Sequence, residues 1–257
     1  MTGTIDHPFS FQLSSSRNFP PLETQLETLA KIGFTNVEPH CDSYAHPAQM
    51  RRLLDRFGLS CASGHFNVAT LLDRPLACLR IAETLGIKTL VAGDMLPQDR
   101  PLHEDDWRQL ADRLGALNAL LAGKGFRLAW HNHDVELAPL PSGLTPLDIL
   151  LESGVDWEAD VGWIARAGGD PLATLQKHAP HLTLMHLKDV APATASLTEA
   201  GWADPGAGVL DLVALWACAA QRGVTAMIAE HNAPGDYVRF AQTAFAFMEA
   251  RRDADLV

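Results

Sequence analysis

Eight short apolar runs, each followed by a longer stretch with apolar residues at spacings of three and four, succeed one another along this chain. The runs are Phe9–Leu13, Phe34–Glu38, Leu59–His65, Ile87–Gly93, Phe126–His133, Val155–Val161, Leu182–Lys188 and Val224–Glu230. They read as strands, and the spacing between them reads as amphipathic helix. The clearest helical stretches are Leu22–Ile32, Pro47–Phe57, Pro75–Leu85, Glu104–Leu121, Thr145–Leu151, Pro171–His178, Leu210–Gln221 and Tyr237–Glu249. Gly33, Gly58, Gly86, Gly125, Gly154 and Gly223 each fall between a helical stretch and the next strand, where a helix C-cap is expected.

Strand and helix alternating eight times, with no linker-like break, predict an α/β fold in which residues 1–257 form a single (β/α)8 TIM barrel. A doubly wound open sheet usually needs fewer strands for this length. Its dinucleotide-binding version loses further ground because no GxGxxG follows the first strand. The one long loop expected is Val190–Val209, rich in Ala, Thr, Pro and Gly.

Charge narrows the partners. The net charge is −11, whereas a nucleic-acid groove needs a surplus of Lys and Arg on one face, and an anionic membrane surface needs the same. No run of about 18 apolar residues occurs. The start of the chain lacks a basic segment followed by an apolar one, and Cys41, Cys61, Cys78 and Cys218 are scattered without CxxC spacing. A cytoplasmic protein with free thiols is expected, with a small molecule as partner and no nucleic acid or membrane. A homo-oligomer is compatible with the sequence.

In a barrel, function belongs to the C-terminal strand ends and the loops after them. Polar residues gather there: Glu38 and His40, His65 and Asn67, then His131, Asn132, His133, Asp134 and Glu136. Asp160, His186, Lys188, Asp189, Glu230, His231 and Asn232 complete the set. Alternation points His131 and His133 the same way, and likewise His186 and Lys188. An inward set of His131, Asp160, His186 and Glu230 offers two imidazoles and two carboxylates, suited to Mn2+, Zn2+, Co2+ or Fe2+. Met185 and Met227 in strand interiors read as core, and Trp130 and Trp157 as packing against the helices.

The segment AWHNHDVEL resembles the "YHNHdfEF" signature of the sugar phosphate isomerase/epimerase family, barrels related to xylose isomerase. EADVGWIARAGGDP is similar to that family's "elDvyWa..aGgDP", MHLKDV to "lHlKD", and DPGAGVLD to "evGeGvlD"; IAEHN stands where the family has "vEqD". The likeness spans nearly the whole chain in the right order and places it in the HNHDxE subgroup. It implies one divalent metal ion, manganese first, at the barrel mouth. Three of the implied ligands fall on Asp160, His186 and Glu230. The strand-5 ligand, a glutamate in other members, falls on His131 of a His-Asn-His triplet, so either His131 or Glu136 folding back completes the set.

The resemblance implies a carbohydrate isomerase or epimerase that moves a proton through a metal-stabilised enediolate. Glu230, His133 and Glu136 are the proton-moving candidates, and Glu38, His65 and Lys188 the substrate contacts. Without a strand-5 glutamate, dehydration of a keto-sugar or inosose on the same site is the alternative, and a non-catalytic sugar-binding barrel is a second. No Gly-rich turn occurs in KDVAPATAS or EHNAPGD, which favours an unphosphorylated polyol or keto-sugar over a phosphorylated one.

Overall fold

In the computed structural model, which describes residues 8–19, 21–194 and 199–254, all eight expected strands pair in parallel in one sheet. The barrel strands are β1 (Phe9–Gln12), β2 (Asn36–Glu38), β3 (Ser63–Asn67), β4 (Thr89–Asp94), β5 (Arg127–His131), β6 (Asp156–Asp160), β7 (Leu182–Leu187) and β10 (Ala226–Ala229). Neighbours run β2-β1-β10-β7-β6-β5-β4-β3. The ends of that order are joined by a bridge between Asn36 and Ser60, with Val37 N donating to Ser60 O at 2.9 Å. The sheet therefore closes on itself, as an α/β barrel requires.

The principal helices follow the expected stretches: α1 (Leu22–Ile32), α2 (Pro47–Phe57), α4 (Pro75–Leu85), α5 (Glu104–Ala122), α6 (Pro146–Glu152), α8 (Pro171–Lys177), α9 (Leu212–Gln221) and α10 (Tyr237–Ala254). Gly58 and Gly86 end α2 and α4 in the left-handed region, at φ 67° and 80°, a conformation open to a residue without Cβ.

Two short helices are additions that the apolar spacing did not announce, α3 (Val68–Asp73) and α7 (Val161–Arg166). Each begins where a strand-end side chain caps it. Asn67 Oδ1 accepts from Thr70 N at 3.1 Å, and Asp160 Oδ1 from Trp163 N at 2.8 Å. The long loop holds a small antiparallel hairpin, β8 (Asp189–Val190) with β9 (Trp202–Ala203); residues 195–198 within it lie outside the described residues.

Side chains sort by strand face. Val91, Ala129, Leu184, Ala226 and Ile228 fill the barrel interior. The larger Phe11, Trp130, Trp157, Met185 and Met227 point the other way, into the layer under the helices. The small interior residues leave width for the polar layers stacked above them. Among the described residues no helix is long and apolar enough to cross a membrane.

Candidate functional site

The inward positions at the C-terminal strand ends converge as alternation requires. His131 ends β5, Asp160 ends β6, His186 lies near the end of β7, and Glu230 follows β10. All four are buried, and each offers a ligand atom within 4.8 Å of the others. His186 Nδ1 lies 3.0 Å from Glu230 Oε2 and 3.9 Å from Asp160 Oδ2, while His131 Nε2 lies 3.8 Å from Asp160 Oδ2. Lys188, 1 % exposed, reaches into the same group: Nζ donates to Glu230 Oε2 at 2.7 Å and to Asp160 Oδ2 at 3.1 Å.

Beneath this layer lies a second one. Glu38 Oε2 accepts from Gln12 Nε2 at 2.8 Å and faces His186 Nε2 at 3.0 Å, and Ser63 Oγ donates to Glu38 Oε1. Glu158, opposite His131 in the β5–β6 register, has Oε2 at 2.5 Å from His65 Nε2, 3.1 Å from His131 Nδ1 and 3.2 Å from His186 Nε2. Glu38 and His65, expected as substrate contacts, thus sit in the inner layer; Glu38 is fully buried and His65 is 8 % exposed. Glu158 was not among the sequence candidates. Its signal was available, since it stands two residues before Asp160 and shares its face.

These layers set the charges. Burial alone would raise Glu158 and Glu230, but His186 and His65 hold Glu158 well below the usual carboxylate range, and Lys188 and His186 do the same for Glu230. Burial would lower His65, yet Glu158 and Glu38 outweigh it and push it up to about 10. In the same way Glu158 and Glu230 raise His186 well above its ordinary value. Asp160 is pushed up to about 6, burial outweighing the Lys188 ammonium. Burial lowers His131 far below its usual value, with the charge of His186 adding to it.

The remaining candidates lie around this core. His133 is pushed down to about 4 by burial and by Lys188, and its ring meets His131 and Trp163 at centroid distances of 5.0 and 5.5 Å. Glu136 accepts from His133 N at 2.7 Å and, with burial against it, is pushed up to about 7. It lines a small cavity together with Arg100, His131 and His133, apart from the acidic clusters. His40 stands off near Asp42, at 3.8 Å. The faces of Trp163 and Trp202 flank Lys188 Nζ, at 5.1 and 4.4 Å from their centroids.

Other parts of the motifs are architectural. Asn132 Oδ1 accepts from Trp157 Nε1 at 2.9 Å and from Asp160 N at 3.0 Å, fastening the end of β5 to the end of β6. The Asp189 carboxylate accepts from the backbone N–H groups of Val190, Gly206, Gly208 and Leu210, which folds the glycine-rich loop back onto the hairpin.

The donor set fits a divalent cation. Two imidazoles and two carboxylates, nested around one point, match a borderline ion. Four buried carboxylates, Glu38, Glu158, Asp160 and Glu230, face one lysine and three histidines, so a cation at the outer layer offsets charge that the barrel otherwise holds at a cost. Glu158 Oε1 and His131 Nδ1 are also buried without a hydrogen-bond partner of good geometry, so the side chains of the cluster do not satisfy one another fully.

Similarity to known proteins agrees with this architecture. The chain is 28 % identical over 188 residues to the rhizopine catabolism protein MocC of Rhizobium meliloti, covering 66 % of this chain and 58 % of that protein. It is 32 % identical over 189 residues to an inosose dehydratase of Clostridium beijerinckii, covering 65 % of this chain and 63 % of that one. The matched region therefore spans about three-fifths of each of these relatives. Among solved structures, a sugar phosphate isomerase/epimerase from Parabacteroides distasonis superposes with a TM-score of 0.77 at 18 % identity, covering 97 % of this chain and 96 % of that one. A xylose isomerase-like TIM barrel protein from Mycobacterium smegmatis in complex with magnesium gives 0.75 at 15 % identity over the full length of both. The sequence profile described as xylose isomerase-like TIM barrel matches residues 26–251, and the chain belongs to that family.

Proposed function

We propose that this protein is a metal-dependent dehydratase of an unphosphorylated keto-polyol, of the inosose type, working at the outer layer of the barrel mouth. The observation that carries the reading is the acid–base inventory there. The strand-5 position holds His131, and the carboxylates of Asp160 and Glu230 are both engaged by Lys188. A two-base epimerisation asks for a free carboxylate on each side of the reacting carbon, whereas elimination asks for one base and one acid. The dehydratase among the relatives supports the same choice.

His131, Asp160, His186 and Glu230 would hold the ion, with manganese, zinc, cobalt or iron compatible with the donors. When bound, a divalent ion supplies Lewis-acid polarisation of a carbonyl. Glu230, kept ionised by Lys188 and His186, serves in this reading as ligand rather than base. His133, neutral at pH 7 and beside the cluster, takes the proton from the carbon next to the carbonyl. Lys188 Nζ donates a hydrogen bond to the oxygen on which negative charge grows. Glu136, pushed up to about 7, is about half protonated at neutral pH, and that form gives its proton to the departing hydroxyl, which leaves as water.

Isomerisation or epimerisation begins with the same proton removal, and both outcomes are read by one experiment. The metal-loaded protein is incubated with scyllo-inosose and with simple ketohexoses in D2O and followed by NMR. Loss of water with formation of an enone or diketone product is expected. Deuterium entry at carbon with an isomeric sugar and no loss of water would replace dehydration by isomerisation. No change with any substrate in the metal-loaded protein would favour the sugar-binding barrel.

A further inference from the structure

We infer that Glu158 and Glu38 are positioning residues that decide which ring nitrogen of His131 and of His186 faces the metal. Each of these imidazoles lies between two carboxylate layers. His131 Nδ1 lies 3.1 Å from Glu158 Oε2, near enough to donate after a small turn of the ring though not aligned for it here, and Nε2 lies 3.8 Å from Asp160 Oδ2. His186 presents Nε2 to Glu38 at 3.0 Å and to Glu158 at 3.2 Å, and Nδ1 to Glu230 at 3.0 Å. A neutral imidazole has one N–H and one lone pair, so the nitrogen that donates to one layer leaves the other free to ligate.

Depth decides between the layers. The inner carboxylates are enclosed by side chains, with Glu158 Oε1 the one oxygen left unpartnered. Glu38 is tied to Gln12 and Ser63, His65 spans Glu38 and Glu158 at 3.2 and 2.5 Å, and both glutamates are fully buried. Position along the strands separates the layers: Glu158 stands two residues before Asp160 on β6, whereas Asp160 ends that strand and Glu230 follows the C-terminal end of β10. The inner layer therefore takes the ring N–H groups, and His131 Nε2 and His186 Nδ1 are left as ligands. A metal-bound histidine whose second nitrogen is fixed by a carboxylate binds its ion more tightly, by about 10- to 100-fold. His65, His131, Glu158 and His186 also lie close enough to hold an ion themselves. Two ions would then share both rings, leaving neither imidazole an N–H, and His65 would have to release Glu158.

This inference rests on the metal-centre reading above, and its test does not use catalysis. Wild-type protein is dialysed against Co2+, the bound metal is counted, and proton NMR of the Co2+ form is recorded. One ion per chain is expected, with two slowly exchanging, hyperfine-shifted N–H resonances. Glu158→Gln and Glu38→Gln should each bind Co2+ about 10- to 100-fold more weakly, with one of the two resonances lost or exchanging fast in each. Two ions per wild-type chain, absence of both N–H resonances, or unchanged affinity in both variants overturns the inference. A wild-type protein that binds no Co2+ overturns the metal-centre reading itself, and the inference with it.

Discussion

Lys188 Nζ lies 2.7 Å from Glu230 Oε2, close enough that the ammonium and an incoming cation compete for the same carboxylate. Asp160 Oδ2, at 3.1 Å, completes the ammonium's anionic surroundings. Lys188→Met keeps much of the side-chain bulk between Trp163 and Trp202 while removing the charge. In the metal-free protein it takes the ammonium from two buried carboxylates and leaves His186 as the cationic partner of Glu230, and a loss of about 3–5 kcal/mol in urea unfolding is expected. Metal binding should move the other way, tighter by roughly tenfold or more, because a positive charge has left the neighbourhood of the ion. Equal or weaker metal affinity in calorimetric titration would show that Lys188 helps assemble the ligands instead of competing for them.

The middle residue of the His-Asn-His triplet carries a different prediction. Asn132 supplies one oxygen to two buried donors, Trp157 Nε1 and Asp160 N. Asn132→Ala strands both, and buried donors without partners cost about 1–3 kcal/mol each. A loss of about 2–5 kcal/mol by chemical denaturation is expected, together with weaker metal binding because the Asp160 backbone is released. A loss below about 1 kcal/mol would mean that water replaces the amide without penalty.

The sequence pattern carried the barrel almost entirely and the site only in part, and the difference has a physical origin. Strand–helix alternation and helix-ending glycines are local signals, so the strand order could be anticipated from them. Alternation also identifies which residues share a face, which is why His131, Asp160, His186 and Glu230 could be grouped. It does not give depth. Glu38 and His65 share the inward face with these four, yet strand tilt and stagger place them one layer further in, bonded to other side chains. Glu158 is hidden in the sequence for the converse reason. It lies one layer below the strand end, where an apolar residue is the default, two residues before the rim carboxylate of Asp160. The expected extension of the fifth strand to His133 fails because the Asn132 side chain bonds across to β6, and the ladder ends at His131.

The glycine-rich stretch after β9 is held by one carboxylate. Asp189 accepts from Gly208 N at 3.0 Å, and a Cβ on Gly208 would collide with that carboxylate and with the Val190 carbonyl. Gly208→Ala must either push Asp189 aside or open the turn. Destabilisation of about 2–4 kcal/mol is expected, with earlier proteolytic cleavage in the loop between β7 and α9. A melting temperature unchanged from wild type would show that the loop is not fixed by Asp189.

Glu136 links stability to pH. Its folded-state pKa of about 7 lies above the ordinary carboxylate value of 4.5, chiefly because burial disfavours the charged form. Below pH 4.5 the side chain is protonated in both folded and unfolded chains and carries no penalty. Between about 4.5 and 7 only the folded chain holds the proton, so stability falls as pH rises; above 7 the full cost of a buried charge remains. A gap of this size corresponds to about 3 kcal/mol. Glu136→Gln keeps an acceptor for His133 N but cannot ionise. Relative to wild type it should gain up to about 3 kcal/mol at pH 8 and little or nothing at pH 4.5. Urea unfolding of both proteins across that range measures the difference directly. The same variant removes the proton donor assigned to the departing hydroxyl, so a more stable protein with turnover reduced by about 100-fold or more is expected. A stability difference that does not vary with pH would place the Glu136 pKa in the ordinary range and remove it from the acid role.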